Sequence, residues 1–277
     1  MFTLNCCGRL LVVDKPLVMG IINTTPDSFY AGSRVYGEAQ LLKQAEQMLA
    51  EGAAILDIGG QSTRPGSVRI SAEEELQRVM GAISAIHRRF PEVYISIDTY
   101  WSRVAQEAVA AGACMVNDIS AGLFDGNMLA TVARLNVPYV CMHMKGTPET
   151  MQDNPEYQNL VQEVLDFFIE RTAQCRQAGI KDIIIDPGFG FGKTIPHNFE
   201  LLRQLQLLQV LDCPILLGIS RKSTVWKTLG ITAAEALNGT TVLHTIGLLH
   251  GAHILRVHDV KEAVEAVKLV EAMKNAV

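Results

Sequence analysis

The sequence predicts a single (β/α)8 barrel with a short β-hairpin at its N-terminus. Three observations carry this: eight short runs of β-type residues, a helical pattern after each, and a length of 277 residues that one such barrel fills. Runs such as Ile183-Ile184-Ile185 and Ile215-Leu216-Leu217 are continuously apolar. Strands of that kind are covered on both faces, which implies a parallel sheet with helical crossovers. Eight right-handed βα units close most naturally into a barrel, with an open doubly wound sheet as the alternative. At 48% hydrophobic and 19% charged residues the chain has apolar surface for a large core. That composition excludes disordered and collagen-like classes.

Taken in order, residues 1–16 read as a hairpin, with Leu4 and Leu10–Val13 around an Asn-Cys-Cys-Gly turn. It is expected to plug the N-terminal end of the barrel. The strand candidates are Leu17–Asn23, Ala54–Ile58, Tyr94–Asp98, Met115–Ile119, Tyr139–His143, Asp182–Asp186, Pro214–Ser220 and His253–His258. Ser71 with Glu74 three positions on is a capping box, so a helix should open near Ala72. Leu160, Val161, Val164, Leu165, Phe168 and Ile169 mark one helical face, and Val260, Ala263, Val264, Val267 and Val270 another. No stretch rich in Pro, Ser and Gly separates domains, so residues 1–277 are read as one domain.

A net charge of −5 with scattered Lys and Arg offers no footprint for a nucleic-acid backbone. The six cysteines show no CxxC or zinc spacing and read as buried thiols of a reduced cytoplasmic protein. Asn5, Gly8, Arg9, Asp14 and Lys15 break up the N-terminal apolar residues, and no apolar run reaches about 18 residues. The expectation is a protein neither exported nor membrane-spanning.

In a barrel of this type the C-terminal strand ends form the active-site face. The polar residues there are Asn23, Asp57, Asp98, Asn117 with Asp118, His143, Asp186, Ser220–Ser223, and Arg256 with His258. Any one of them has a plain structural reading as a loop or cap residue, and Arg221 reads best as a structural ion pair. As a set they do not, because buried polar groups left unpaired cost about 1–3 kcal/mol each. Asp98, Asn117, Asp186 and Lys222 together suit a flat heterocycle with a 2-amino-4-oxopyrimidine edge, whose donors and carbonyl they complement. Arg64, Lys222, Arg256 and His258 form a cationic group suited to a phosphate or pyrophosphate. Asn23 and Asp27 offer hard oxygens of the kind Mg²⁺ takes when shared with a pyrophosphate.

Gly-Lys-Thr at 192–194 invites comparison with a phosphate-binding P-loop, but that motif requires Gly at position 187, where Pro187 stands. The glycines of this segment fit better as places where backbone approaches a flat ligand, with Phe189 or Phe191 as an aromatic wall.

Eight motifs recur in one order: Met19–Phe29 (MGIINTTPDSF), Asp57–Gly66 (DIGGQSTRPG), Ser96–Thr99 (SIDT), Asn117–Ile119 (NDI), Met142–Met144 (MHM), Asp186–Lys193 (DPGFGFGK), Ser220–Ser223 (SRKS) and Arg256–Asp259 (RVHD). On them the chain resembles the dihydropteroate synthase family over nearly its whole length. The resemblance implies a barrel that joins 4-aminobenzoate to 6-hydroxymethyl-7,8-dihydropterin diphosphate, releasing pyrophosphate and 7,8-dihydropteroate. It implies that Asp98, Asn117, Asp186 and Lys222 hold the pterin, with Ile119 and Met142 as walls and Arg256 stacked on the ring. Asn23, Arg64, Arg256 and His258 would hold the diphosphate, with Mg²⁺ at Asn23 and Asp27. Thr63, Pro65, Phe191, Lys222 and Ser223 would form the aminobenzoate pocket, and Lys222, Arg256 and Asp98 would carry catalysis. It also implies a cytoplasmic homodimer, which apolar faces such as Val264, Val267 and Val270 would permit.

Two departures stand out. Tyr30-Ala31-Gly32-Ser33 replaces the family's usual Ser-Asp-Gly-Gly, and Gln61 replaces its usual Glu, so two acids are missing from neighbouring loops. A methyltetrahydrofolate-binding barrel of a corrinoid methyltransferase, or an inactive pterin-binding paralogue, are the alternatives. The cationic residues argue against the first, and retention of the whole pterin set argues against the second.

Overall fold

The computed structural model describes residues 1–24, 34–62, 66–151 and 155–276, with backbone alone at 34–36. Strands β1 (Phe2–Cys6) and β2 (Arg9–Val13) pair antiparallel. Their two-residue turn takes Cys7 and Gly8 at positive φ, 55° and 86°, the geometry that matches strand twist in tight hairpins.

Eight parallel strands follow: β3 (Leu17–Asn23), β4 (Ile55–Gly59), β5 (Tyr94–Asp98), β6 (Met115–Asp118), β7 (Tyr139–Met142), β8 (Ile183–Asp186), β9 (Leu216–Leu217) and β10 (Ile254–Val257). Their spatial order, β8-β7-β6-β5-β4-β3-β10-β9, is a ring opened between β8 and β9. A parallel bridge between Ile185 and Ile215 closes it, with Ile185 N donating to Pro214 O at 2.9 Å. The barrel expectation therefore holds and the open sheet does not. The seventh barrel strand is shorter than Pro214–Ser220 because the chain turns after Leu217. Lys222 N donates to Ile219 O, and Arg221 takes φ 53°.

Each crossover carries a helix: α1 (Arg34–Glu51), α2 (Ala72–Arg89), α3 (Ser102–Ala110), α4 (Met128–Leu135), α5 (Leu160–Ala178) and α6 (Ile195–Arg203). The seventh carries both α7 (Ser223–Leu229) and α8 (Leu237–Leu249), and α9 (Val260–Lys274) ends the fold. Helix α2 opens where expected, but its capping box is half formed. Ser71 Oγ accepts from Glu74 N, while the Glu74 carboxylate pairs with Arg78 at 2.6 Å instead of returning to Ser71. A complete box caps α6, from Thr194 and His197.

The apolar strand runs divide by the two-residue pleat. One set, including Ile22, Leu56, Ile97, Val116, Tyr139 and Leu255, packs outward against the helices. The other set, Met19, Ile55, Met115, Val140, Ile184, Leu216 and Ile254, fills the barrel floor together with Leu4, Cys6, Leu11 and Val13 of the hairpin. The hairpin is thus the expected plug. It is pinned by Asn5 N to Asp182 Oδ2 (2.7 Å), and by Arg9, whose guanidinium donates to the carbonyls of Glu92 (2.8 Å) and Val93 (3.0 Å). Two expectations need correction. Cys7 sits exposed in the hairpin turn, unlike the other five free thiols. Val267 and Val270 are buried and Val264 lies against Gly52, so this face of α9 serves the core and is not free for a partner.

Candidate active site

The same pleat sorts the polar strand-end residues. Positions in step with the floor layer put Asp57, Asp98, Asn117, Met142, Asp186 and Arg256 on the barrel interior. Asp118 and His143 fall on the opposite face. Asp118 is spent on its own loop, accepting from Ser120 N and Oγ (2.7 Å each), Gly122 N (2.8 Å) and Tyr139 Oη (2.8 Å). His143 packs edge-on against Phe167 with ring centroids 4.9 Å apart. Neither joins the interior set that the strand-end reading had grouped together.

Inside, Arg256 is the hub. Its Nε donates to Asp57 Oδ2 at 2.6 Å and its Nη2 to Asp98 Oδ2 at 2.5 Å. Asn117 Nδ2 also donates to Asp57 Oδ2, at 3.1 Å. Asp57 is wholly buried, and its Oδ1 has no partner among the described residues. Asp57 is therefore a brace beneath the site, orienting the arginine and the amide. Burial raises the Asp98 carboxyl to about 7 against the pull of Arg256, with Asp57, Asp118 and Asp186 adding to the rise. Burial likewise raises Asp186, opposed first by Lys222. Lys222 itself is brought down to about 8 by burial.

Lys222 Nζ donates to Phe189 O at 2.5 Å and lies 4.6 Å from the centre of the Phe191 ring. Of the two candidate wall residues, Phe189 belongs to the helix-facing core. Phe191 belongs to a small apolar cluster at the mouth with Ile119, Met142, Tyr100 and Met151. The Gly188–Lys193 segment is held by close backbone approach. Gly188 has φ 70°, and an added Cβ would overlap the His143 carbonyl oxygen. Lys193 turns inward, its Nζ meeting His143 Nδ1 (2.8 Å), Gly188 O (3.1 Å) and Phe191 O (3.1 Å). Burial lowers its ammonium to about 7. This is a clip for the Phe191 loop, which is why Gly-Lys-Thr here is no phosphate cradle.

At the outer rim, Ser220 Oγ lies 3.1 Å from His258 Nδ1. Arg221 forms the expected structural pair, bidentate to Asp259 at 2.8 Å through each of Nε and Nη2. Asn23 is exposed at the end of β3, and Ser223 opens α7 beside Lys222. Asp27, Ala31, Thr63, Arg64 and Pro65 lie outside the described residues.

Two site neighbours escaped sequence reasoning. Glu75 looked like one more acid in the first turn of α2, yet it is fully buried, accepts from Thr99 Oγ1 at 2.6 Å, and is pushed up to about 8 by burial. It anchors the residue after Asp98. Tyr100 follows Thr99 and is buried against the mouth cluster. A carboxylate four residues before Val79 gives no hint that it points at the neighbouring strand end. The Asp98-Thr99-Tyr100 run was the only available signal.

A barrel stoppered at one end, with carboxylates, an amide and cations converging inside the other, is the scaffold of a protein that works on a small polar ring. The family described as pterin binding enzyme matches residues 19–258. Dihydropteroate synthase of Escherichia coli (strain K12) is 45% identical over 97% of this chain and 95% of its own. The Yersinia pestis dihydropteroate synthase crystallised with a sulfonamide drug superposes with TM-score 0.93 at 41% identity, covering 99% of this chain and 100% of that one. The Xanthomonas albilineans enzyme in complex with 7,8-dihydropteroate superposes with TM-score 0.89 at 37% identity, covering all of both chains. Within the pterin binding enzymes, this chain belongs to the dihydropteroate synthase family.

Proposed function

We propose that the chain condenses 6-hydroxymethyl-7,8-dihydropterin diphosphate with 4-aminobenzoate, giving 7,8-dihydropteroate and pyrophosphate. The observation that carries this is the interior set of buried Asp98, Asn117 and Asp186 with half-buried Lys222 and Arg256, in a member of this family. Carboxylates accept the N–H groups of the pterin edge, while Asn117 and Lys222 serve its carbonyl and ring nitrogens. Ile119 and Met142 pack on the ring, and Arg256, fixed by Asp57 and Asp98, lies over it. Arg256, His258 and Arg64 receive the diphosphate. Thr63, Pro65, Phe191, Lys222 and Ser223 receive the aminobenzoate.

The bond from the pterin methylene to the diphosphate oxygen breaks with its electrons on the oxygen. Arg256 and Lys222 stabilise that departing charge, and the Asp98 carboxylate faces the electron-poor ring left behind. The arylamine nitrogen then closes on the methylene carbon and gives up one proton to the released pyrophosphate or to water, so no protein nucleophile is required. Mg²⁺ keeps several waters and phosphate oxygens and asks for only one or two protein oxygens, a demand that exposed Asn23 fits and Asp27 would complete. When bound there it supplies neutralisation of the diphosphate charge. The protein is proposed to be a cytoplasmic homodimer. Among the described residues no helix is long and apolar enough to cross a membrane. Exposed Leu229, Val242 and Leu249 on α7 and α8 are side chains that a second copy would cover.

The test is pyrophosphate release by the purified protein, omitting Mg²⁺, the dihydropterin diphosphate or 4-aminobenzoate in turn. Release requiring all three is expected. In Asp98→Ala, release should fall by about 10- to 100-fold, as loss of a charge-assisted contact implies. Normal release in that variant, or none in the wild type, would refute the reading.

A further inference from the structure

Gln61, where the family usually carries an acid, uses both ends of its amide. Its Oε1 accepts from Ile70 N (2.8 Å) and Tyr100 Oη (3.1 Å), and its Nε2 donates to Ser62 O (2.7 Å) and Val68 O (3.1 Å). A carboxylate has no hydrogens for those two carbonyls, so the glutamine is specific to this loop's path. On the other side of the loop, the Arg69 guanidinium lies 4.1 Å from the centre of the Trp101 ring and 4.8 Å from that of Tyr100. Trp101 Nε1 donates to Ile70 O at 3.2 Å, and Gly66 N donates to Pro148 O at 3.2 Å. Tyr100 is the shared member. Its ring packs with Ile119 and Met142, the wall assigned to the pterin, and with Phe191, assigned to the aminobenzoate, while its hydroxyl holds Gln61. A cavity of about 160 Å³ lies beside this contact, between Gln61, Tyr100, Phe124 and Thr147.

We propose that Tyr100, Gln61 and Arg69 form a clasp that ties the two flanks of this loop, Ser62 and Val68–Ile70, to the pterin-pocket wall and thereby sets affinity for the arylamine substrate. The proposal rests on the synthase reading for its substrate. All three are positioning residues. Gln61 joins Ser62 O on one flank to Val68 O and Ile70 N on the other, and the residues between Ser62 and Gly66 are those assigned to aminobenzoate and diphosphate.

The experiment compares Tyr100→Phe, Gln61→Glu and their double variant with the wild-type protein. In each single variant KM for 4-aminobenzoate should rise about fivefold to tenfold, the loss of one or two neutral hydrogen bonds, with kcat and the Kd for 6-hydroxymethylpterin held within about twofold. The double variant should be worse than either single variant, because Tyr100→Phe removes the hydroxyl donor while Gln61→Glu removes the two amide donors, which are different bonds. Hydrogen exchange over residues 61–70 should quicken in all three. Unchanged exchange overturns the clasp whatever the activity. Faster exchange with an unchanged KM, or equal weakening of both substrates, overturns its role in arylamine affinity. If the wild-type protein releases no pyrophosphate, the synthase reading falls, and the exchange measurement alone judges whether the clasp holds the segment.

Discussion

Glu75 holds a proton that most carboxyls give up. Its folded value near 8 lies above the ordinary 4.5, so between those values the native state binds a proton that the unfolded chain has released. Stability contributed by the neutral carboxyl is complete below pH 4.5, and is lost as pH rises toward 8. Glu75→Gln keeps the neutral shape and the acceptor for Thr99 while removing the titration. The variant should therefore melt several degrees higher than the wild type at pH 9 and close to it at pH 5. An unaltered difference between the two pH values would mean that the carboxyl is ionised in its pocket. Asp57 works by position: a buried acceptor shared by Asn117 and Arg256 determines where two ligand-facing groups point.

Among the elements, the hairpin contributes most beyond its size. Leu4, Cys6, Leu11 and Val13 meet one interior side chain from seven of the eight barrel strands, so the plug replaces solvent at the barrel floor. Leu4→Ala should cost about 2–5 kcal/mol in chemical denaturation, the range for a buried leucine whose surroundings cannot collapse. Pterin affinity should stay unchanged, because the polar layer lies above. A loss under about 1 kcal/mol would mean that the floor packs without the hairpin. These elements were legible in the sequence because continuous apolar runs and positive-φ turn residues are local signals. Strand β9 was overextended because its apolar run continues past the point where Arg221 turns the chain. Asp118 and His143 were placed at the right height on their strands but not on the right face. Height follows from the run, whereas facing follows from register, and a strand of four residues shifts register easily. Glu75, Tyr100 and Lys193 act across separations in sequence that no window spans.

For the whole molecule, the order of depth matters more than any single contact. Asp98, Asn117 and Asp186 are buried within the barrel, while Ser223 and Asn23 stand at the rim. If the pterin is held below and the arylamine above, 4-aminobenzoate binding should strengthen when pyrophosphate and a pterin are present together. Titration calorimetry with and without them checks this. Equal affinity in both conditions would mean that the two pockets do not share a wall.

The stopper at the floor has a further result. A tunnel lets one molecule enter while another departs, but a well with a single opening imposes a queue. Whatever settles at the bottom is trapped beneath whatever follows, and the finished molecule must be lifted out through the doorway by which its parts came in. Turnover in such a vessel is paced by emptying as much as by bond making. A compound that fills the base without reaching the lip therefore blocks traffic in both directions.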